Sequence, residues 1–326
     1  MPLDVACEGE FANRQPRSHR WRGRIVTLLA TRYAIPTHKE QTGMSSDAAP
    51  FIRHLDSCNT ARLPGDRTPF RLGNAPAGWI APALVPELER RGLHRQDGAL
   101  VLDDPTRLEG LGEALAADGI YRSHHELFDV APIAEGPPIA RIDRGALPLF
   151  GLIAHGVHMN GLVRRPDGLH LWVGRRAMNK RLDPGKLDHL VAGGIPAGHT
   201  PRQALEKEAA EEAGIAPALI ARATPTATIR YAMERPEGLR RDVLHCYELD
   251  LPPDFEPVPT DGEVEFFTLM PLHEAWRIVR EGDAFKFNVN LVLIDLFLRH
   301  GLIDPDSPDG RRLRAGLSGL DNPAFA

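Results

Sequence analysis

The sequence predicts a mixed α/β protein, and three observations predict it. Runs with strand alternation interleave with segments of helical composition along most of the chain. A glycine-rich loop at 193–198 leads into a helix with stop and start signals at both ends. The length, 326 residues, corresponds to about two domains at roughly 150 residues each. Hydrophobic residues at 42% and charged residues at 25% place the chain with globular rather than disordered proteins. A net charge of −5 excludes the broadly basic surface that nucleic acid selects, and no apolar run approaches the roughly 18 residues of a membrane span. The three cysteines, Cys7, Cys58 and Cys246, are odd in number and widely spaced. That argues against a disulfide framework and a cysteine zinc site, and for a reducing, cytoplasmic compartment.

Taken in order, residues 1–48 carry Arg14, Arg17, Arg20, Arg22 and Arg24 among scattered prolines, with nothing to bury a core. They read as a disordered or mis-annotated extension, with Met44 as a plausible initiator. Residues 49–150 read as a smaller α+β domain. Pro69 to Ile80 gives short strands around Gly/Pro turns, and Ala83 to Arg91 and Thr106 to Asp118 have helix composition. Arg141 to Leu149 reads as a connector. His124 and His125 lack a third ligand at metal spacing and read as surface or packing residues.

Residues 151–303 read as the second domain. Leu152 to Val163 is strand-like, turns at Arg164 to Gly168, and returns as the alternating Leu169 to Val173. A second hairpin runs from Thr226 to Ala232 and from Asp242 to Asp250, turned at Arg235 to Gly238. Glu263 to Leu269 is a short strand, Pro271 to Glu281 a helix opened by proline, and Asn288 to His300 an apolar helix stopped by Gly301. Residues 304–326 are a C-terminal tail.

The chemistry concentrates in Val191 to Ile215, VAGGIPAGHTPRQALEKEAAEEAGI. Gly193 and Gly194 let backbone approach a ligand closely. Thr200, Pro201 and Gln203 form an N-cap, an N1 proline and a capping box, and Gly214 a C′ stop, so the helix spans Pro201 to Ala213. At about 100° per residue, Glu208, Glu211 and Glu212 share one arc of roughly 100°, while Leu205, Ala209 and Ala213 pack the helix on a sheet. Like charges so placed repel by a few tenths of a kcal/mol per pair, and a cation reverses that sign. Oxygen donors at this spacing suit Mg²⁺ or Mn²⁺.

This stretch resembles the Nudix box, G-x5-E-x7-R-E-U-x-E-E-x-G-U with U a bulky aliphatic. Gly193, Glu208, Glu211, Glu212, Gly214 and Ile215 match; His199, Lys207 and Ala209 stand where the first glutamate, the arginine and U usually do. The resemblance implies an α/β/α sandwich with a mixed sheet, preceded by the smaller α+β domain. It also implies metal held by Glu208, Glu211 and Glu212, with the first glutamate and the arginine bracing loop against helix. Phe150 to Gly161, Pro184 to Gly194, Asp261 to Glu265 and Phe285 to Asn288 are similar to a Nudix subfamily related to thiamine pyrophosphokinase. Its members carry a front domain of unknown function, and stand-alone relatives hydrolyse thiamine diphosphate and its oxidised analogues to monophosphates.

The expected reaction is therefore X-diphosphate to X-monophosphate plus phosphate, on a small-molecule diphosphate, with neither nucleic acid nor membrane as partner. ADP-ribose-type substrates and a non-catalytic diphosphate sensor are the alternatives. Glu212, or Glu263 from the short strand, is the expected base. Arg175, Arg176 and Lys180 stand where a second phosphate would bind, and His158, Arg230 and Tyr231 are expected to wall the organic group. Cys246, mid-strand, reads as buried and inert.

Overall fold

Residues 48–325 of the computed structural model are described. The expectations for the N-terminal extension, Met44 and Cys7 lie outside them, Ala48 apart. The described chain opens with helix α1 (Ala49–Cys58), whose Phe51, Ile52, Leu55 and Cys58 are buried. Strands β1 (Thr68–Leu72) and β2 (Ala75–Ile80), helix α2 (Val85–Arg90), and strands β3 (His94–Gln96) and β4 (Ala99–Leu102) follow. The four strands form one sheet in the order β2-β1-β4-β3, with β1 and β4 parallel. Helix α3 (Leu108–Ala117) then precedes a separate hairpin, β5 (Leu127–Val130) with β6 (Ala140–Asp143).

The expected connector at 141–149 is thus a strand end, a 3-10 turn and the short helix α4 (Leu147–Phe150). Four residues, Ala-Arg-Ile-Asp, hold a single alternation, too little for periodicity to register. From Phe70 to Leu152 the buried apolar side chains form one cluster, with Phe70, Leu88, Leu100, Leu108, Leu115, Ile142 and Phe150 at its heart.

Next come β7 (Ile153–Arg165), β8 (Gly168–Arg176), β9 (Leu187–Asp188), β10 (Val191–Gly194), helices α5 (Pro201–Ala213) and α6 (Pro217–Ile220), β11 (Thr224–Arg235), β12 (Gly238–Asp250) and β13 (Val264–Pro271). They build a mixed sheet in the order β11-β12-β7-β8-β13, with β10 added to β7 and β9 to β8. β7 and β12 run parallel; the two hairpins turn at Pro166-Asp167 and Pro236-Glu237, as the sequence predicts.

Alternation along these strands assigns the two faces. Val157, Met159 and Val163 of β7 and Tyr247 and Leu249 of β12 pack with Leu205, Ala209 and Ala213 of α5. The opposite face carries His158, Cys246 and Glu248. It meets α7 (Leu272–Glu281) and α8 (Val289–Arg299), Arg299 lying 2.5 Å from Glu248. Helices on both faces of a mixed sheet make an α/β/α sandwich. The terminal segment is ordered into α9 (Pro308–Ser318), capped by the Ser307 hydroxyl, with Leu313 and Leu317 buried.

Candidate active site

The helix α5 is fixed locally, by its own capping residues. The Thr200 hydroxyl accepts from the Gln203 amide, the Gln203 side chain accepts from the Thr200 amide, and Pro201 fills N1. This cap sets where the helix starts, and the apolar stripe of Leu205, Ala209 and Ala213 sets which way it faces. β10 pairs antiparallel with β7, Gly193 opposite Val157, and so lays the glycine loop alongside α5. At Gly193 the approach is close: a Cβ there would lie 2.3 Å from Cδ and 2.6 Å from Oε2 of Glu208. A side chain at 193 would push that carboxyl away.

The three helix acids do not share one environment. Glu212 is buried at 6% exposure, and its Oε2 accepts from the Ala192 amide at 2.8 Å. Burial holds its carboxyl well above the ordinary glutamate range; the Ala192 hydrogen bond opposes this, while Glu208, Asp188 and Glu263 add to it. Glu208 is partly buried and is raised for the same first reason, against the pull of Lys207. Glu211 is exposed, 2.7 Å from Lys207 Nζ. A helical wheel places all three on one arc; what packs across from each decides its burial.

Glu212 has partners the helix alone does not supply. Its ligand oxygen and those of Asp261 and Glu263 all lie within 4.8 Å of one another. Asp261 was not among the residues singled out from sequence. Its signal is the Asp-Gly-Glu turn: Gly262 takes φ +77°, and Asp261 Oδ1 accepts from the Glu263 amide at 2.8 Å, which folds two acids toward one point. Glu263 precedes β13, and Glu265 sits at the bulge where the β8–β13 register shifts.

The basic residues divide. Lys180 pairs with Glu263 at the edge of the carboxylate cluster, and Arg175 lies 3.3 Å from Glu265, two residues further along the chain. Arg176 is engaged elsewhere: its guanidinium donates to Asp188 at 2.6 Å and to the carbonyls of Leu182 and Asp183, which leaves it no free fork for a phosphate. Arg230 is held by Glu135 and the Ser318 carbonyl. Tyr231 is fully buried and donates to Asp242, and His158 is buried too. These two belong to the interior and do not wall a ligand.

His158, Asp188 and His189 form a second cluster with ligand atoms within 4.8 Å, immediately ahead of β10. The two Nδ1 atoms are 2.9 Å apart, so one ring donates and the other accepts. Burial lowers both imidazoles, His189 to about 4. Burial pushes the Asp188 carboxyl up, but Lys286 and Arg176 overcome it and hold it low. With Arg176 at 2.6 Å and Lys286 at 3.7 Å, one carboxylate already faces two cations. A divalent ion added there would meet net repulsion, so this cluster is a charge-compensated interior. Cys58 and Cys246 are buried.

A glycine loop on an edge strand, a capped acidic helix beneath it and a convergent acidic turn define a carboxylate-built candidate site on a mixed α/β/α sandwich. The sequence profile described as NUDIX domain matches residues 154–289. The chain is 38% identical over 293 residues to Nudix hydrolase 24, chloroplastic, of Arabidopsis thaliana, covering 83% of this chain and 80% of that protein. To Nudix hydrolase 20, chloroplastic, of the same plant it is 36% identical over 289 residues, covering 81% and 76%. A solved structure from Deinococcus radiodurans superposes with a TM-score of 0.41 at 21% identity, over 52% of this chain and 97% of that one. This chain belongs to the Nudix hydrolase family.

One expectation is overturned here. Both plant relatives are chloroplastic proteins, so the cytoplasmic placement does not stand. Cysteine usage reports redox conditions and carries no address.

Proposed function

We propose that the protein hydrolyses an organic diphosphate, X-diphosphate and water giving X-monophosphate and phosphate, with Mg²⁺ or Mn²⁺ as cofactor. The observation that supports it most is the convergence of Glu212, Asp261 and Glu263 within 4.8 Å, with Glu208 seated against Gly193. An all-oxygen donor set with a charge surplus fits a hard divalent cation. Glu208, Glu211 and Glu212, with Glu263 and Asp261, would hold it. When bound, such a cation neutralises diphosphate charge and acidifies water.

The chain's own residues do the rest. Glu212 or Glu263 accepts the proton of the attacking water at a carboxylate oxygen. As the water oxygen bonds to the terminal phosphorus, the bridging oxygen leaves with the monophosphate. Arg175 and Lys180, at the rim, take phosphate oxygens in exchange for Glu265 and Glu263.

We assign residues 49–150 to a front domain, 151–303 to the Nudix domain and 304–326 to a C-terminal segment. Two apolar clusters, Phe70 to Leu152 and Val157 to Leu251, support the division. For X, the resemblance of 150–161, 184–194, 261–265 and 285–288 to the thiamine pyrophosphokinase-related subfamily favours thiamine diphosphate or its oxidised analogues. The test is one plate with Mg²⁺ and the full chain, products resolved by chromatography: thiamine diphosphate, oxothiamine diphosphate, ADP-ribose and coenzyme A. A higher kcat/KM on the thiamine type supports the assignment; equal or better hydrolysis of ADP-ribose overturns it. Diphosphate binding with no hydrolysis would establish the sensor reading, which His199 and Lys207 favour.

A further inference from the structure

The glycine loop that meets Glu208 continues through 195–199 before α5 begins, and it needs something to hold it. In the box pattern a glutamate and an arginine, of opposite charge, occupy positions 199 and 207. Here His199 and Lys207 cannot attract one another, since neither carries a negative charge. Among the described residues, His199 Nδ1 reaches the carbonyl of Ala197 in its own loop, at 3.3 Å. Lys207 points to Glu211 and Glu208, on its own helix.

The loop is instead tied to the hairpin of β5 and β6. The Ala197 amide donates to the Leu127 carbonyl at 2.8 Å, and the Gly198 amide donates to Asp129 Oδ2 at 2.6 Å. Leu127 offers its backbone carbonyl and Asp129, two residues on, its carboxylate. Between them Phe128 turns inward, and its ring lies where a Cβ on Gly194 would be, 2.4 Å from Cζ. Asp129 is itself held across the hairpin by Arg141 Nε at 3.0 Å. The hairpin is rooted in the first apolar cluster through Phe128, Val130 and Ile142.

We infer that the hairpin β5–β6, through Asp129 above all, braces the loop in place of the missing pair at 199 and 207, and so keeps Gly193 against Glu208. Asp129 is a positioning residue in this scheme, acting through the Gly198 amide. The inference rests on the diphosphatase reading for its effect on turnover, and on the structure alone for the brace. It gives the front region a mechanical part in the reaction, separate from any role in choosing X.

The test measures amide exchange over 193–200, Mn²⁺ binding by the paramagnetic resonance of the free ion, and turnover, all in the full chain. Asp129→Ala should speed exchange at Ala197 and Gly198, weaken Mn²⁺ binding roughly tenfold, as loss of outer support for a metal site does, and lower kcat more than it raises KM. Asp129→Asn keeps an acceptor oxygen for Gly198 and should retain most of the wild-type behaviour. Adding His199→Glu and Lys207→Arg to Asp129→Ala should restore a large part of what was lost, since an opposite-charge pair then spans loop and helix. If Asp129→Ala proves unstable, Arg141→Gln loosens the same carboxylate and should move all three readouts less, in the same direction. Unchanged exchange and Mn²⁺ binding in a well-folded Asp129→Ala would overturn the brace, as would failure of the paired substitution to restore either. A wild type inactive on every diphosphate would defeat the proposed function, while exchange and Mn²⁺ binding would still decide the brace.

Discussion

Replacing Gly193 by alanine separates the fold from the site. Gly193 is an ordinary strand residue of β10, so alanine can adopt its backbone, and the whole effect falls on what the methyl group meets. It meets the Glu208 carboxyl: Cδ at 2.3 Å and Cγ at 2.5 Å, against the 3.4 Å at which ordinary contact begins. The carboxyl carbon must retreat by about 1.1 Å, the difference between those two distances. Glu208 is a flexible side chain on the partly exposed flank of α5, so the retreat costs roughly 1 kcal/mol of rotamer strain. Metal distances, by contrast, tolerate about 0.2 Å, and a displacement of about 1 Å near a reacting centre costs on the order of 100-fold in rate. Gly193→Ala should therefore melt within a few degrees of the wild type. Its turnover should fall about 100-fold, with a matching rise in the Mg²⁺ concentration giving half-maximal rate. Wild-type metal dependence in a folded Gly193→Ala protein would refute the placement of Glu208 at the cation.

Three further outcomes follow from the charges. Glu212 has its folded-state pKa raised by burial, so its contribution to stability is present below the ordinary glutamate value and lost as the pH rises through the folded value. Without metal, the melting temperature of Glu212→Gln should rise relative to wild type as the pH climbs above the ordinary glutamate value, and turnover should drop about 100-fold or more; a variant–wild-type gap that stays flat with pH would count against a buried Glu212 whose carboxyl favours the neutral form. Arg176→Met strips Asp188 of its nearer partner at 2.6 Å and should destabilise by roughly 3 kcal/mol, read by urea unfolding; a loss under about 0.5 kcal/mol, the range of an ordinary surface change, would mean that Arg176 is free for ligand after all. Burial raises the Cys58 thiol to about 12 and that of Cys246 well above its usual range, so peptide mapping after thiol labelling of the native protein should find both unmodified.

What was legible in the sequence is what local chemistry fixes. Thr200, Pro201, Gln203 and Gly214 mark both ends of α5 without reference to anything distant, and the helix begins and ends where they say. The two hairpins announce themselves through Pro-Asp-Gly and Pro-Glu-Gly turns. What was not legible depends on partners remote in sequence. Periodicity puts Glu211 and Glu212 side by side; the Ala192 amide and the acids of the turn at 261–263, remote in sequence, meet the Glu212 carboxyl, while Glu211 stays at the surface beside Lys207. Arg176 reads as a phosphate ligand until Asp188 is seen beside it. β5 is a strand of only four residues, Leu-Phe-Asp-Val, and its service to the loop at 194–198 lies in a backbone carbonyl and one carboxylate, neither of which carries a pattern.

The charges around the site explain why so acidic a cluster folds. Three of the exposed acids have a basic neighbour, Lys207 for Glu211, Lys180 for Glu263 and Arg175 for Glu265, and Asp261 accepts from the Glu263 amide. Glu208 and Glu212 lie deeper, and burial drives both toward the protonated form. Repulsion is thus relieved by pairing at the rim, and burial tips the inner pair toward the neutral form. A divalent cation does both jobs at once: it favours the ionised form of the two inner carboxyls and competes with the rim cations for the outer ones. The basic side chains so released stand at the edge of the cluster, where a diphosphate needs them. Under the proposed function, the residues that hold the site quiet without metal would be its phosphate contacts once a cation is bound, while the buried Asp188 is already matched by Arg176 and Lys286.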